Sequence, residues 1–478
     1  MAQVTTIRHP DRWRHARRLS FRLGWLAVAV CASSTQAQQQ PDMRPILERL
    51  DRLEQQNVAL LAEIRELRQQ IASLTGAANT PPAARAEEVE KLADQVAVHS
   101  ARIAEQAQSK VESLQRFPIR ITGMALFNAY TNSRSDGGYF SPVATAVNSA
   151  RGSGGTLSQS ILGLEFFGPG TLLGGKINGN LQMDFYPYSS AYGLRPDQDA
   201  SGAALSPRLR TGSITIDWGS RSIMFGQEKP LISPRDPDSL AQVGAPPLAA
   251  AGNLWEWRPQ VRLQQRFNVS DGTTITAQGA VYETDEYNTG LPAQFASTLE
   301  LARPGWEGRV EFAHRSGDES RFELAPGFHY SVSHAAGYSV TSHIASLDGL
   351  LRPFHFAELT GAFFAGQDAA GLGGLGPGFR VTDDGDLYGV NSRGGWLQLA
   401  LFPAPRLTLH LFGGTQVNRR SDLSGYYPQS NISFAANAYY RLAPNVFLAF
   451  EAAQSRTEWT SGTTHLRNHY DLALAYMF

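Results

Sequence analysis

From Ile119 to Phe478 the chain repeats a pattern that few folds accept: apolar residues alternate with polar ones, and the polar positions carry full charges in mid-segment. In GGKINGNLQMDFYP, Ile177, Gly179, Leu181, Met183 and Phe185 fall on one face and Lys176, Asn178, Asn180, Gln182 and Asp184 on the other. PQVRLQQRF sets Val261, Leu263 and Phe267 against Arg262, Gln264 and Arg266, and WEGRVEFAHR sets Trp306, Val310 and Phe312 against Glu307, Arg309 and Glu311. SNISFAANAYYRL repeats the division, with Ile432, Phe434 and Tyr440 opposite Asn431, Ser433, Asn437 and Arg441. A period of two is that of a strand with two unlike faces, and Gly, Pro, Asp and Asn turns separate the segments.

A soluble sandwich alternates too, but it buries its apolar face and wets the other. Here the apolar face ends in aromatics while Arg, Glu and Asp sit opposite, which suits an outer apolar band with aromatic girdles around a polar lumen. No stretch reaches 18 consecutive apolar residues, so helical spans are excluded, whereas a barrel hides its apolar residues by alternating them. The expected fold is an all-β transmembrane barrel of about 16 antiparallel strands over 118–478. Sixteen strand-plus-connection units get about 22 residues each, enough for tilted spans of about 9–11 residues with short turns and long loops. The last nine residues, YDLALAYMF, place Tyr470, Leu472, Leu474, Tyr476 and Phe478 on one face. The terminus therefore reads as a closing strand rather than a frayed tail.

The other end reads differently. Residues 1–22 hold six arginines against Asp11, followed by the apolar run LGWLAVAVCA and the small-residue stretch SSTQA. This is the layout of a secretory signal peptide over 1–37, cut after Ala37, with a short buried helix as the alternative. Its removal takes away the only cysteine, Cys31, and leaves 36 basic and 42 acidic residues, a net −6. The mature chain then has no disulfide or thiolate site, and nothing points to nucleic acid.

Residues 38–82 contain the most regular period. Ile46, Leu50, Leu53, Asn57, Leu60, Ile64, Leu67, Ile71 and Leu74 keep 4,3,4,3 spacing, the seam of an α-helical coiled coil about 43 Å long. An amphipathic helix lying on its own barrel is the alternative. TGAANTPP ends the helix, and 83–117 reads as a connecting helix before RFPIR switches the period to two.

A signal peptide, a coiled coil and a barrel with terminal phenylalanine together resemble the DcaP-like outer-membrane porins. SQSILGLEFFGP, GGKINGNLQMDFYP, PRLRTGSITIDWGSRSIMFGQEKP and PQVRLQQRF look like that family's early strands, a likeness of wording confined to about residues 157–268. Phosphate-selective porins share similar early strands; the coiled coil favours the first family. The resemblance implies a homotrimer in the outer membrane of a Gram-negative-type bacterium, with the coiled coil in the periplasm. It also implies passive uptake of small anionic solutes such as dicarboxylates, contact with outer-membrane lipids, and no cofactor. The terminal Tyr476 and Phe478 resemble the signal read by the barrel assembly machinery.

In such a channel the lining sets what passes. The expected pore-lining cations are Lys176, Arg262, Arg266 and Arg309, with Arg208 and Arg210 less securely phased; a ladder neutralised by Asp184, Asp217, Glu307 and Glu311 is the alternative. Arginine presents a planar fork suited to carboxylates. The segment 228–259 carries five prolines between Pro230 and Pro247, which keep it out of the sheet. It is expected to fold inward and narrow the pore as a constriction loop, with Arg235, Asp236 and Asp238 at the constriction; an outer loop gripping a neighbouring subunit is the alternative. GLGGLG (371–376) matches a dinucleotide fingerprint but lacks its strand–turn–helix setting, and reads as a glycine-rich loop. His465 and His469 would lie about 13 Å apart along a strand, too far for one metal. No nucleophile motif supports an enzyme. The rival reading is a structural anchor that tethers the envelope through its coiled coil.

A peptide covering 42–80 is expected to self-associate. Asn57→Ile should raise its melting temperature while loosening its choice of oligomer, because a polar a position fixes register at a cost in stability. Sedimentation equilibrium decides: a peptide that stays monomeric at high concentration contradicts the assignment.

Overall fold

A computed structural model describes residues 119–478 apart from 134–143, 146–150, 187–206, 286–297, 299, 301, 318–319, 336, 382–386 and 424. The signal peptide, the coiled-coil positions Leu50, Leu53, Asn57, Leu60, Ile64, Leu67 and Ile71, and the connecting helix lie outside the described residues.

The strands in chain order are β1 (Ile119–Asn132), β2 (Ser153–Thr156), β3 (Ile161–Leu172), β4 (Gly175–Asp184), β5 (Arg208–Asp217), β6 (Arg221–Glu228), β7 (Arg258–Ser270), β8 (Thr273–Asp285) and β9 (Ala302–Ser316). They continue as β10 (Ser320–Ala335), β11 (Tyr338–Phe354), β12 (Ala357–Gln367), β13 (Phe379–Val381), β14 (Leu387–Gly389), β15 (Asn391–Ala404), β16 (Leu407–Asn418), β17 (Pro428–Ala443), β18 (Val446–Trp459) and β19 (Thr464–Met477). β13 and β14 form a hairpin of their own inside a loop. Both β2 and β3 pair with β1, so they act as one interrupted strand, and β19 pairs back onto β1. The result is a closed antiparallel barrel of 16 strands.

An even count brings both ends of the barrel chain to one rim. That rim also carries turns of two or three residues, for example between β3 and β4 and between β7 and β8, where Gly174 and Gly272 take the left-handed conformation. The long connections lie at the other rim. Side chains divide as the alternation requires. Trp306, Leu263, Phe434, Phe450 and Leu472 face outward and are exposed, while their neighbours Glu307, Asn437, Glu451 and Asp471 face inward and are buried.

The seam between β1 and β19 runs in register from Met124 opposite Met477 to Asn132 opposite His469. Beyond the last strand residue the ladder continues: the Gly123 N–H donates to the Phe478 carbonyl at 2.9 Å, and the Phe478 N–H donates to Gly123 at 3.1 Å. The terminal residue is part of the ring. Its ring stacks near Tyr476 (6.2 Å between centroids) and lies over Gly123, where a Cβ would stand 2.4 Å from the Ile161 carbonyl and 2.8 Å from the Phe478 ring.

Gly123→Ala is therefore expected to loosen the seam by about 1–3 kcal/mol, the usual cost of overpacking. A lower urea midpoint of the folded barrel, read from its heat-modifiable gel mobility, checks this; an unchanged midpoint contradicts it.

Candidate functional site: the lumen and its inserted loop

The segment between β6 and β7, residues 229–257, folds into the barrel and crosses it. At its start the Leu231 N–H donates to Glu307 at 2.6 Å, and Arg235 reaches the wall at β10 and β11. Its middle lies on the far side. The Asp238 N–H donates to Gln398 (2.6 Å), Ser239 Oγ to Glu451 (2.6 Å), and Asn437 donates to the Asp238 carbonyl (2.8 Å). It then returns past β1 and β5. Asn128 donates to the Leu240 carbonyl at 2.8 Å and Gln159 to the Ala241 carbonyl at 2.9 Å. Gln159 in turn accepts from the Val243 and Gly244 N–H groups, and Arg210 donates to the Val243 carbonyl at 2.7 Å. The prolines keep the segment out of any ladder, so its backbone groups need side-chain partners. A buried amide supplies both donor and acceptor, which is why Asn128, Gln159, Gln398 and Asn437 occupy these inner positions.

Apolar contacts seat the same loop. Ile232 and Leu254 pack with Tyr282, Ile344 and Phe364, Leu248 and Ala251 with Trp396 and Phe412, and Leu240 with Met124, Leu126 and Ala473. A second loop, between β12 and β15, inserts above it: the Trp255 N–H donates to Leu372 (3.0 Å) and the Leu375 N–H to Gln416 (2.8 Å). This loop contains GLGGLG. Its inward course was not legible, because nothing in a glycine-rich stretch says which wall it meets.

The expected constriction residues all lie within the barrel, in unlike surroundings. Arg235 bonds Asp348 at 3.0 Å and also Glu323, and stands 3.6 Å from Glu311. Burial opposes its charge, but the hydrogen bonds and charges of Glu323 and Asp348 outweigh that, and its pKa lies above the ordinary guanidinium value. Asp236 is held inside the loop by Lys229 and by Asn253 (3.0 Å). Asp238 is the open one: its side chain is 60% exposed, takes a bond from Gln398 (2.6 Å) and stands 3.8 Å from His410.

The expected lining cations divide as well. Arg309 faces inward but is sealed, with Nε and Nη2 on Asp348 at 2.7 and 2.8 Å, Nη2 on Glu311 at 2.7 Å, and Nη1 on Gln278 at 3.1 Å. Together with Arg235 and Arg321 it forms a cluster in which three arginines meet three acids, Glu311, Glu323 and Asp348. For this arginine the neutralised ladder holds. Arg262 is half-buried and bonds only neutral groups, the Lys229 carbonyl (2.8 Å) and Gln260 (3.0 and 3.2 Å), with Glu228 nearby. Arg266 and Lys176 are exposed and, among the described residues, have no ion-pair partner. They lie toward the short-turn rim, with Arg266 about 13 Å along the strand from Arg262.

Arg208 and Arg210 both grip Asp184, at 2.6 and 2.8 Å, and Arg210 stacks 4.4 Å from the Trp257 ring. Strict alternation from Ser213, Thr215 and Asp217 would turn both arginines outward. A register shift between Gln182 and Met183 marks a β-bulge at Arg210 that brings them inside. The alternation breaks at that point, which is why these two residues resisted phasing.

The inner wall is consequently two-sided. Along β12 and β15–β19 it is covered: Trp396, Gln398, Asn431, Glu451 and Asp471 are all buried. Along β4, β5 and β7 it remains open, with Lys176, Gln182, Arg266 and Asn268 exposed and Asn178, Ser213, Thr215 and Gln264 half-exposed.

No family model and no functionally curated protein matches the sequence. Among solved structures, the outer membrane channel DcaP of Acinetobacter baumannii superposes with a TM-score of 0.62, covering 76% of this chain and 97% of that one at 13% identity. The fold is that of an outer-membrane porin. An anion-selective porin from Comamonas acidovorans also aligns, at 11% identity over 76% of this chain and 100% of that one, with a TM-score of 0.49. At such identities the likeness is one of barrel architecture, and the lining of this barrel has to be read from its own residues.

Asp348 takes both Arg235 and Arg309 and is fully buried. Asp348→Ala removes the carboxylate that these two guanidinium groups share, leaving them Glu323 and Glu311, and is expected to destabilise the barrel by about 3–5 kcal/mol, with a noisier current in planar bilayers as the loop loses an anchor. A variant with wild-type urea midpoint and a quiet current contradicts this placement of the loop.

Proposed function

We propose that the chain is a passive diffusion porin for small anionic solutes, with dicarboxylates as the favoured class. It works as a homotrimer in the outer membrane, with the coiled coil on the periplasmic side. The observation that carries the reading is the two-sided wall. The exposed and half-exposed inner positions on β4, β5 and β7 are where a water path would run, and among the described residues the cations there without a bonded acid are Lys176, Arg262 and Arg266. Asp217 is tied to the Gly219 N–H at 2.6 Å, and Glu228 lies near Arg262. The trimeric state and the choice of dicarboxylates come from the family resemblance.

Two guanidinium groups spaced along one strand offer a carboxylate successive stations, each weak enough to release it. The net charge of −6 does not oppose this, because a narrow, low-dielectric-walled path responds to the charges that line it. Arg262→Ala with Arg266→Ala should shift the reversal potential under a salt gradient toward cations and reduce succinate flux several-fold, while a neutral sugar of similar size passes as before. Arg309→Gln should lower stability and leave selectivity nearly unchanged. Wild-type selectivity in the double variant contradicts the proposed lining; absence of any conductance would favour the anchor reading.

A further inference from the structure

The outer surface at the long-loop rim holds a concavity of about 480 Å³ between β1, β2 and β19, lined by Thr131, Asn132, Ser133, Arg151, Leu466 and Tyr470. Leu466 and Tyr470 form an exposed apolar floor on the lipid-facing side of β19. Thr131 stands opposite both Tyr470 and Ser153, and its hydroxyl meets the Ser153 hydroxyl at 2.7 Å. Arg151 edges one side. On the other side Arg456 is the direct cross-strand partner of Leu466, on the same face, which brings the two side chains within about 5 Å at Cβ.

Both arginines are exposed, and neither has a hydrogen bond or ion pair among the described residues. Arg456 sits in the row of Ile432 and Leu466, two outward apolar residues that are 45% and 46% exposed. The nearest acid on this face, Glu458, is one pair closer to the loops and takes a bond from the Ser430 hydroxyl at 3.4 Å. A charge at the edge of the hydrocarbon is costly unless it reaches the headgroups or meets a counter-charge. Two unpaired guanidinium groups and two hydroxyls around an apolar floor complement one kind of occupant, with acyl chains below and a phosphate above.

We infer that this concavity is a binding site for a phosphate-bearing lipid of the outer leaflet, held by Arg151 and Arg456 over Leu466 and Tyr470. The site lies outside the lumen and does not depend on which solute the pore passes. The test is native mass spectrometry of the full-length detergent-solubilised protein titrated with lipid A, dephosphorylated lipid A and phosphatidylcholine. Wild type should retain lipid A in preference to the other two. Arg151→Gln with Arg456→Gln should weaken that retention about tenfold, a loss equivalent to one decade in Kd. Arg151→Lys with Arg456→Lys, which keeps the charge, should weaken it less, and heat-modifiable mobility shows that each variant has folded. Equal retention of the dephosphorylated lipid, or no loss in the glutamine variant, overturns the site. If inorganic phosphate alone stabilises the protein as much as lipid A does, the site takes free phosphate and the lipid assignment fails.

Discussion

Every backbone N–H and C=O that enters hydrocarbon must find a partner within the protein, and the rest of this structure depends on that demand. It forces the sheet to close, so β1 must meet β19, and the ladder runs to the last residue. A terminal phenylalanine belongs there for two reasons: its backbone completes the seam, and its ring fills the space that Gly123 leaves open. The same demand governs the inserted loop. It lies inside the ring, where a proline-rich strand cannot join the ladder, and its backbone groups are met partly by turns of its own and partly by side chains of the wall.

Those side chains differ from one flank of the lumen to the other. Where the loop enters, Arg235 joins a cluster with Arg309, Arg321 and three carboxylates, so attachment is strong and the charges cancel. Across the barrel the loop is held by neutral amides, by Glu451 and, through Asn128, beside Asp471. Ion pairs fix the loop's starting angle. Amides that donate and accept at once fix its course, because each ties a carbonyl or an N–H in a single orientation. The apolar anchors Leu240, Leu248 and Leu254 then pack the loop against β1 and β19, against β15–β18, and against β8, β11 and β12 in turn.

The strand faces were legible because period two leaves little freedom: Lys176, Arg262, Arg266 and Arg309 all face inward, as the alternation requires. The prolines of 229–257 excluded it from the sheet, but they left an inward course and an outer grip on a neighbouring subunit both open. Pairing was less legible. Arg309 meets Asp348 across 39 residues of sequence, and Arg235 meets the same carboxylate across 113. No local pattern encodes such separations. Arg208 and Arg210 were obscured for another reason, since one extra residue at a bulge inverts the alternation on which phasing relies. The amides Asn128, Gln159, Gln398 and Asn437 passed as ordinary polar lumen residues. Their chemistry was visible but their partner, a loop backbone, was not.

Charge in the lumen is therefore better counted by exposure than by number. The wall holds nearly as many acids as bases, yet the two kinds are distributed unequally between dry and wet surfaces. Glu307, Glu323, Asp348, Glu451 and Asp471 are buried against the loop or its anchors, out of contact with water. Arg266 and Lys176 stand in water, and Arg262 bonds only neutral oxygens. A loop that covers these carboxylates as it seats itself leaves Lys176 and Arg266 among the exposed charges of the open arc. In this barrel the same contacts that cover the carboxylates also decide which charges stay exposed along the inner wall.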